Sequence, residues 1–310
     1  MTTAAPPATR AAAPNRPADV IFKAVSTTAG VLILVALAGV AIFLVAQAVP
    51  ALIGPLPEDD SFLAWVWPLT FGTLWSAFLA MLMAVPIAIA IALFITHFAP
   101  RRLAMGLGYL VDLLAAIPSV IYGLWGIAVL APFLQPSYTW LAQNLGWLPL
   151  FTPPASGTGR TVLTASIVLA VMVLPIITAL CREIFLQTPR LNEEAALALG
   201  ATRWEMITMA VLPHGRSGII ASSILGLGRA LGETMAVAMV LASSGAVTFV
   251  LVGSQNPSTI AANIALRFPE AHGLTVNMLI GSGLVLFAIT LIVNAVSRII
   301  IARTTVDGGR

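Results

Sequence analysis

Residues 69–96 read LTFGTLWSAFLAMLMAVPIAIAIALFIT, without one charged side chain. About 20 apolar residues in a helix cross the roughly 30 Å of hydrocarbon in a bilayer, and this run is longer than that. Working outward, the pattern recurs at roughly 24–49, 108–134, 161–182, 218–242 and 275–301. Composition agrees. Hydrophobic residues make up 59% of the 310 residues and charged residues 9%, where a globular chain carries about 25% charge. Mean hydropathy is +0.99. So little charge cannot coat a surface in water, so the solvent of this chain is largely lipid. The reading is an all-α integral membrane protein with six transmembrane helices.

The runs divide the chain. Residues 1–23 form a tail rich in Ala, Pro and Thr, with too few apolar residues to bury a core. Residues 24–68 hold the first span and a loop, 69–301 the remaining five spans, and 302–310 a second tail. Ala46-Gln47-Ala48 resembles a signal-peptidase site, but the apolar run before it exceeds the 7 to about 15 residues of a cleavable signal. It reads as an uncleaved span. Pro86, Pro118 and Pro175 interrupt three spans, either as static kinks or as hinges. Residues 243–268 are too broken to span, and read as an outer loop with a re-entrant or interfacial piece.

Several chemistries are excluded. Cys181 is the single cysteine, so no intrachain disulfide and no paired-cysteine metal site exist. His97, His214 and His272 lie far apart, in no zinc-binding spacing. Lys23 is the sole lysine and no P-loop surrounds it, so ATP energy must come through a partner. The net charge of +3 and pI near 9.6 are not a nucleic-acid signal, because the basic residues are scattered between apolar runs.

Their placement sets the orientation. With the N-terminus in the cytoplasm, Arg10, Arg16, Lys23, Arg101, Arg102, Arg182, Arg190, Arg203, Arg216, Arg298, Arg303 and Arg310 fall inside. Only Arg160 and Arg267 fall outside, and Arg229 lies within a span. Both termini are then cytoplasmic. The outer loops carry Glu58-Asp59-Asp60 and the rings of Trp65, Trp67, Tyr138, Trp140 and Trp147, which suit the interfacial belt.

The inside loop 183–217 reads as a helical hairpin. Thr188 caps a helix opening on Pro189 and stopped by Gly200. Thr202-Arg203-Trp204-Glu205 is a capping box opening a second helix that ends at Leu212-Pro213. This is either an ordinary connection or a docking knob for a cytoplasmic protein.

The fifth span contains GLGRALGETMAV at 226–237. A charge at the centre of a spanning helix costs about 2.5–3.5 kcal/mol, and a Leu or Val returns about 0.3–0.6. Arg229 and Glu233, four residues apart, share a helix face, can pair, and are expected to face the bundle interior. Gly228 and Gly232 permit close helix approach. The pair is either a self-neutralised structural bridge or part of an anion path, where a guanidinium fork grips an oxyanion and the carboxylate weakens the trap. Asp112 is a structural polar group or a gating contact. Ser119 and Tyr122 donate either to an anion or to the kinked backbone beside Pro118. Asn263, Asn277 and Asn294 suit helix-to-helix hydrogen bonds, and Cys181 a small buried filler.

Glu194-Ala195-Ala196, then Gly200, then Leu212-Pro213 resembles the EAA loop of bacterial ABC-importer permeases, with Ala210 where that family prefers Ile. GRALGETMAV (228–237), IPSVIYGLWG (117–126) and TIAANIA (259–265) resemble the phosphate-specific permeases of the PstC type. The resemblance covers most of 69–301. It implies a type I ABC importer permease architecture, with Glu194, Ala195, Ala196, Gly200, Leu212 and Pro213 in the loop that couples to an ATPase. It implies a heterodimer with a second permease of the PstA type, two ATP-binding subunits of the PstB type that hold ATP and Mg, and an extracytoplasmic phosphate-binding protein of the PstS type. It also implies that Arg229 and Glu233 lie on the translocation path. No cofactor or metal is expected on this chain. Rival readings are a permease for sulfate or molybdate, and a proton-coupled secondary anion transporter working through Glu233.

Overall fold

The computed structural model describes residues 17–54 and 61–307. The expected tail at 1–16, the acidic run 58–60 and Arg310 lie outside the described residues. The first helix, α1, covers Pro17–Ile53. The chain divides into two compact units after Ala46. Up to that point α1 is one apolar helix with its large side chains, such as Phe22, Leu34 and Ile42, exposed.

In the second unit, Ser61 caps α2 (Phe62–Leu93) by accepting the Ala64 N–H, which satisfies one of the orphan donors of the first turn. A π-turn at Phe94–Phe98 ends that helix. Next come α3 (Arg101–Ala115), α4 (Ser119–Trp125), a π-turn at Gly126–Leu130 and α5 (Ala131–Asn144). Thr161 caps α6 (Val162–Leu186) through the Thr164 N–H. The hairpin follows as α7 (Arg190–Ala198) and α8 (Arg203–Met206). A π-turn at Ile207–Val211 leads into α9 (Leu212–Gly232), then α10 (Met235–Val240), α11 (Ile260–Arg267) and α12 (Leu274–Asp307). Among the described residues there is no extended strand.

The centre is the seam between α2 and α6, the most extensive helix pairing in the chain. Ala77, Ala80, Ala84, Ala88 and Ala92 recur every three or four residues and are each no more than 1% exposed. They face Leu169, Val173, Ile177 and Cys181 of α6, all fully buried. In lipid the gain comes from van der Waals contact, so small side chains that let backbones close are favoured. Cys181 is the small buried filler expected of it, with its sulfur 3.2 Å from the Ser222 hydroxyl.

Among the described residues, five helical stretches are long and apolar enough to cross a membrane: Pro17–Ile53, Phe62–Phe98, Ser119–Asn144, Val162–Leu186 and Leu274–Ile299. Three sequence expectations need correction here. The third span starts at Ser119, not 108. Residues 101–115 form a separate helix, because Pro118 holds extended backbone (φ −58, ψ 138) and disfavours helix at the residue before it. The run 218–242 is not one helix, because the chain breaks at Glu233. The second hairpin helix does not end at Leu212-Pro213 but continues through the π-turn into α9. Pro213 falls in the first turn of α9, where a missing N–H is tolerated.

Prolines 86 and 175 lie inside continuous helices. The segment between α10 and α11 is irregular but packed. Asn256 is fully buried. Its amide nitrogen lies 3.2 Å from the Arg160 carbonyl and 3.0 Å from that of Ala242, and its oxygen accepts the Val162 N–H at 3.1 Å. Thr73 of α2 accepts the Ile260 N–H at 2.9 Å. A Cβ at Gly72 would fall 2.2 Å from the Ser258 carbonyl oxygen, so only glycine lets this segment lie against α2.

Candidate functional site

The site forms where α4, α9 and α10 meet. Helix α9 ends at Gly232, and Glu233 takes extended backbone (φ −67, ψ 126). The Thr234 hydroxyl donates to the Gly232 carbonyl at 3.1 Å. The Glu233 carboxylate, one residue before the Thr234 cap position of α10, accepts the first-turn Ala236 N–H at 3.1 Å. Glu233 is 8% exposed. Non-helical backbone at membrane depth persists only where protein buries it or water reaches it, and here α4 covers it. A Cβ on Gly123 would sit 2.9 Å from the Ala236 Cα, and one on Gly126 would sit 2.7 Å from both Val168 and Val240. These two glycines seat α10 against α4 and α6. The sequence reading quoted their motif but missed this role, although the Gly-x-x-Gly spacing in YGLWG was a signal for it.

The break overturns the expectation that Arg229 and Glu233 share one helix face and pair inside the bundle. Among the described residues no ion pair joins them. Arg229 points to the uncovered side of α9, where Ala221, Leu225, Gly228 and Gly232 are also exposed. It borders a cleft of about 680 Å³ that also takes in Ile176 of α6 and Asn294 of α12. A Cβ on Gly228 or Gly232 would meet nothing within 4 Å, so the expected close helix approach does not occur among the described residues.

Tyr122 is buried and donates to the Leu114 carbonyl at 2.9 Å, the backbone role that was one of its two readings. Ser119 is half-buried at the start of α4. Asp112 lies elsewhere, 3.5 Å from Arg182. The two border a separate cleft of about 560 Å³ with Arg101 and Tyr109. The structure thus sets Glu233 at the break between α9 and α10, Arg229 on the uncovered side of α9, and Tyr122 and Ser119 on α4, and leaves Asp112 in the separate cleft. Tyr138 is no interfacial ring: it is 2% exposed and bonded to the Thr164 hydroxyl at 2.8 Å. Trp67, Trp140 and Trp147 are exposed. Asn277 reaches the Gln47 carbonyl at 2.6 Å, as expected of a helix-to-helix bond. Asn294 is exposed beside Arg229, and the Asn263 amide nitrogen is buried without a partner.

The hairpin has a different surface. Helix α7 begins one residue later than read, with Pro189 rather than Thr188 in the cap position. Gly200 takes φ +89, a left-handed conformation that ends α7 and strains any other residue. The capping box is complete: the Glu205 N–H bonds the Thr202 hydroxyl, and the Glu205 carboxylate accepts the Thr202 N–H at 2.7 Å. The Thr202 N–H, and after it the Thr202 hydroxyl donating to the same carboxylate oxygen at 2.8 Å, hold the Glu205 carboxyl below its usual range. No α7 residue is buried, and Leu191 and Leu199 are 78% and 91% exposed. Glu193 Oε1 lies 3.6 Å from His97 Nε2, a contact the sequence reading did not foresee.

Apolar spans around an interrupted helix, with a bare-faced hairpin carried between two of them, define a transport-system permease. The chain belongs to the family of binding-protein-dependent transport system inner membrane components, whose model matches residues 84–306. It is 45% identical over 302 residues to the phosphate transport system permease protein PstC 2 of Mycobacterium tuberculosis, covering 93% of each chain. It is 39% identical over 303 residues to the phosphate transport system permease protein PstC of Mesorhizobium japonicum, covering 92% of this chain and 90% of that one. In fold it resembles a chain of the bacterial alginate ABC transporter crystallised with an alginate pentasaccharide-bound periplasmic protein. The TM-score is 0.61 at 19% identity, over 91% of this chain and 96% of the other. A chain of the inward-facing MetNI methionine ABC transporter gives a TM-score of 0.53 at 17% identity, over 80% and 99%. The protein is a multi-pass membrane permease subunit of an ABC importer with the type I permease fold.

Proposed function

We propose that this subunit imports inorganic phosphate, with α9 lining the path. The observation that carries this reading is the pairing of two facts. Relatives named as phosphate permeases match nearly the whole chain, and Arg229 stands exposed on a helix face left uncovered among the described residues. An uncompensated guanidinium in a span is costly, and a second permease subunit of the PstA type would enclose it in an aqueous path between the two. There its planar donors suit a tetrahedral oxyanion. Glu233, one step inward, tempers the attraction so that the ligand leaves. Tyr122 and Ser119 lie beside this path. Asp112, engaged by Arg182, contributes polarity to another cleft instead.

Six crossings with cytoplasmic termini fit this reading if the broken α9–α10 unit counts as one crossing. The hairpin then faces the cytoplasm. Its exposed leucines, with Glu194, Ala195, Ala196 and Gly200, form the docking surface for one of two ATP-binding subunits of the PstB type, which bind ATP and Mg. Leu212 and Pro213 join that surface to α9. An extracytoplasmic phosphate-binding protein of the PstS type delivers the ligand. The test is uptake into proteoliposomes holding the complete complex. Phosphate, but not sulfate or molybdate, should drive ATP hydrolysis and accumulate. Sulfate- or molybdate-driven uptake without a response to phosphate overturns the assignment, as does accumulation driven by a proton gradient without ATP.

A further inference from the structure

The cleft that holds Asp112 and Arg182 lies apart from the α9 path and measures about 560 Å³. Three elements wall it. They are the π-turn after α2, with Thr96, helix α3, with Arg101, Met105 and Tyr109, and the end of α6, with Arg182 and Leu186.

Arg182 is engaged through one of its terminal nitrogens. Its Nη2 lies 3.0 Å from Glu183 Oε1 and 3.5 Å from Asp112 Oδ2. Among the described residues neither Nη1 nor Nε gives a hydrogen bond, and neither is a buried orphan, so both are open to solvent. A Cβ on Gly108 would fall 2.5 Å from Nη1, so only glycine there lets the guanidinium lie along the cleft wall. Arg101 is exposed and has no ion pair among the described residues. Helix α3 opens on Pro100 with no side-chain cap, which leaves the N–H groups of its first turn without a side-chain acceptor.

Two guanidinium groups therefore share this cleft with one carboxylate, and that carboxylate already meets Nη2. Donors exceed acceptors. Surplus guanidinium and helix-start donors suit the oxygens of a phosphate group. The rim is apolar, with Met105, Tyr109 and Leu186 exposed. By the placement of the basic residues this is the cytoplasmic end of α2 and α6, where basic clefts between spanning helices take anionic headgroups.

We infer that this cleft binds a phosphate group between Arg101 and Arg182, carried by an anionic phospholipid of the cytoplasmic leaflet or free in solution. The site is separate from the α9 path and does not depend on what that path carries. An occupant braces the start of α3 against the end of α6, the helix that leads into the hairpin.

The experiment measures binding to the complete importer purified in an uncharged maltoside detergent. One arm titrates phosphatidylglycerol and counts bound lipid by native mass spectrometry, with zwitterionic phosphatidylcholine as the control. The other arm titrates inorganic phosphate by calorimetry. One arm should show saturable binding that weakens about fivefold in Arg101→Gln, the scale of one basic residue beside an anionic surface. Gly108→Leu, whose side chain displaces Nη1, should weaken it at least as much. Arg229→Gln should leave this binding native, which separates the cleft from the α9 path. A response in the lipid arm assigns the headgroup, and one in the phosphate arm assigns the free ion. Unchanged binding of both probes in Arg101→Gln, no saturable binding of either, or equal binding of phosphatidylcholine overturns the site. Arg101 is exposed, so its variant decides the question even where Gly108→Leu melts below native.

Discussion

The carboxylate of Glu233 accepts the backbone N–H of Ala236, so a charged side chain near the middle of an apolar run satisfies an amide in the first turn of a new helix. This separates two jobs of one group. Glu233→Gln keeps an oxygen for the Ala236 N–H but loses the charge, whereas Glu233→Ala loses both. The Gln variant should assemble and melt like the native subunit yet import phosphate at least about tenfold more slowly. The Ala variant should also lose about 1 kcal/mol of stability, the usual value of a helix cap. Native uptake by Glu233→Gln would remove this residue from the path, and Arg229→Gln puts the same question to its neighbour.

Glycines in the same region should respond in opposite ways. Gly123→Val drives a side chain into Ala236 and Met239 of α10 and should cost about 1–3 kcal/mol, as overpacking does, read from thermal unfolding of the purified subunit. Gly228 meets nothing within 4 Å. Gly228→Ala should leave the isolated subunit unchanged or raise its stability by up to about 1 kcal/mol, because alanine is the better helix former. Gly228→Leu should leave the isolated subunit's melting near native but reduce recovery of the second permease on co-purification. Equal destabilisation by Gly123→Val and Gly228→Leu in the isolated subunit would contradict this division.

Asn256 holds the irregular segment between α10 and α11 to the start of α6. Asn256→Ala strands the buried Val162 N–H and the half-buried carbonyls of Arg160 and Ala242. Each stranded group costs about 1–3 kcal/mol, so the subunit should melt well below native and the 241–259 amides should exchange faster. Asn256→Asp keeps an acceptor for Val162 but adds a buried charge, and should be no better tolerated.

Acid should loosen the hairpin before the bundle. The Glu205 carboxyl is depressed by its bonds from Thr202. A depressed carboxyl contributes stability that is complete above its unfolded value and lost as pH falls through the lower folded value. The capping box should therefore hold through the ordinary carboxylate range and open only below it. Hydrogen exchange at Thr202 and Glu205 should accelerate there in the native protein, while Glu205→Gln should show no such step.

The spans and the hairpin were legible because each is a local property. A bilayer demands unbroken apolar length, a left-handed residue demands glycine at 200, and a capping box needs only Thr202 and Glu205 in their spacing. The errors fell where local rules compete. At 108–134 the apolar run was continuous, but Pro118 divided it. At 218–242 hydropathy again ran through, while the chain broke after Gly232 because Glu233 found a nearby amide to accept. Tyr138 looked interfacial because a ring with a hydroxyl suits a membrane surface, until the Thr164 hydroxyl supplied a buried partner.

By itself the sequence determined the class of solvent, the helical architecture, the family motifs and the caps, because these depend on composition and on residues within a turn or two of each other. Only the tertiary structure decided that Arg229 and Glu233 do not pair, that Asp112 is engaged by Arg182, that Gly123 and Gly126 carry the α4 crossing, and that His97 meets Glu193. Those outcomes depend on which groups from distant segments arrive within a few ångströms of one another. Such distances are set by how helices pack, and helical periodicity carries no record of them.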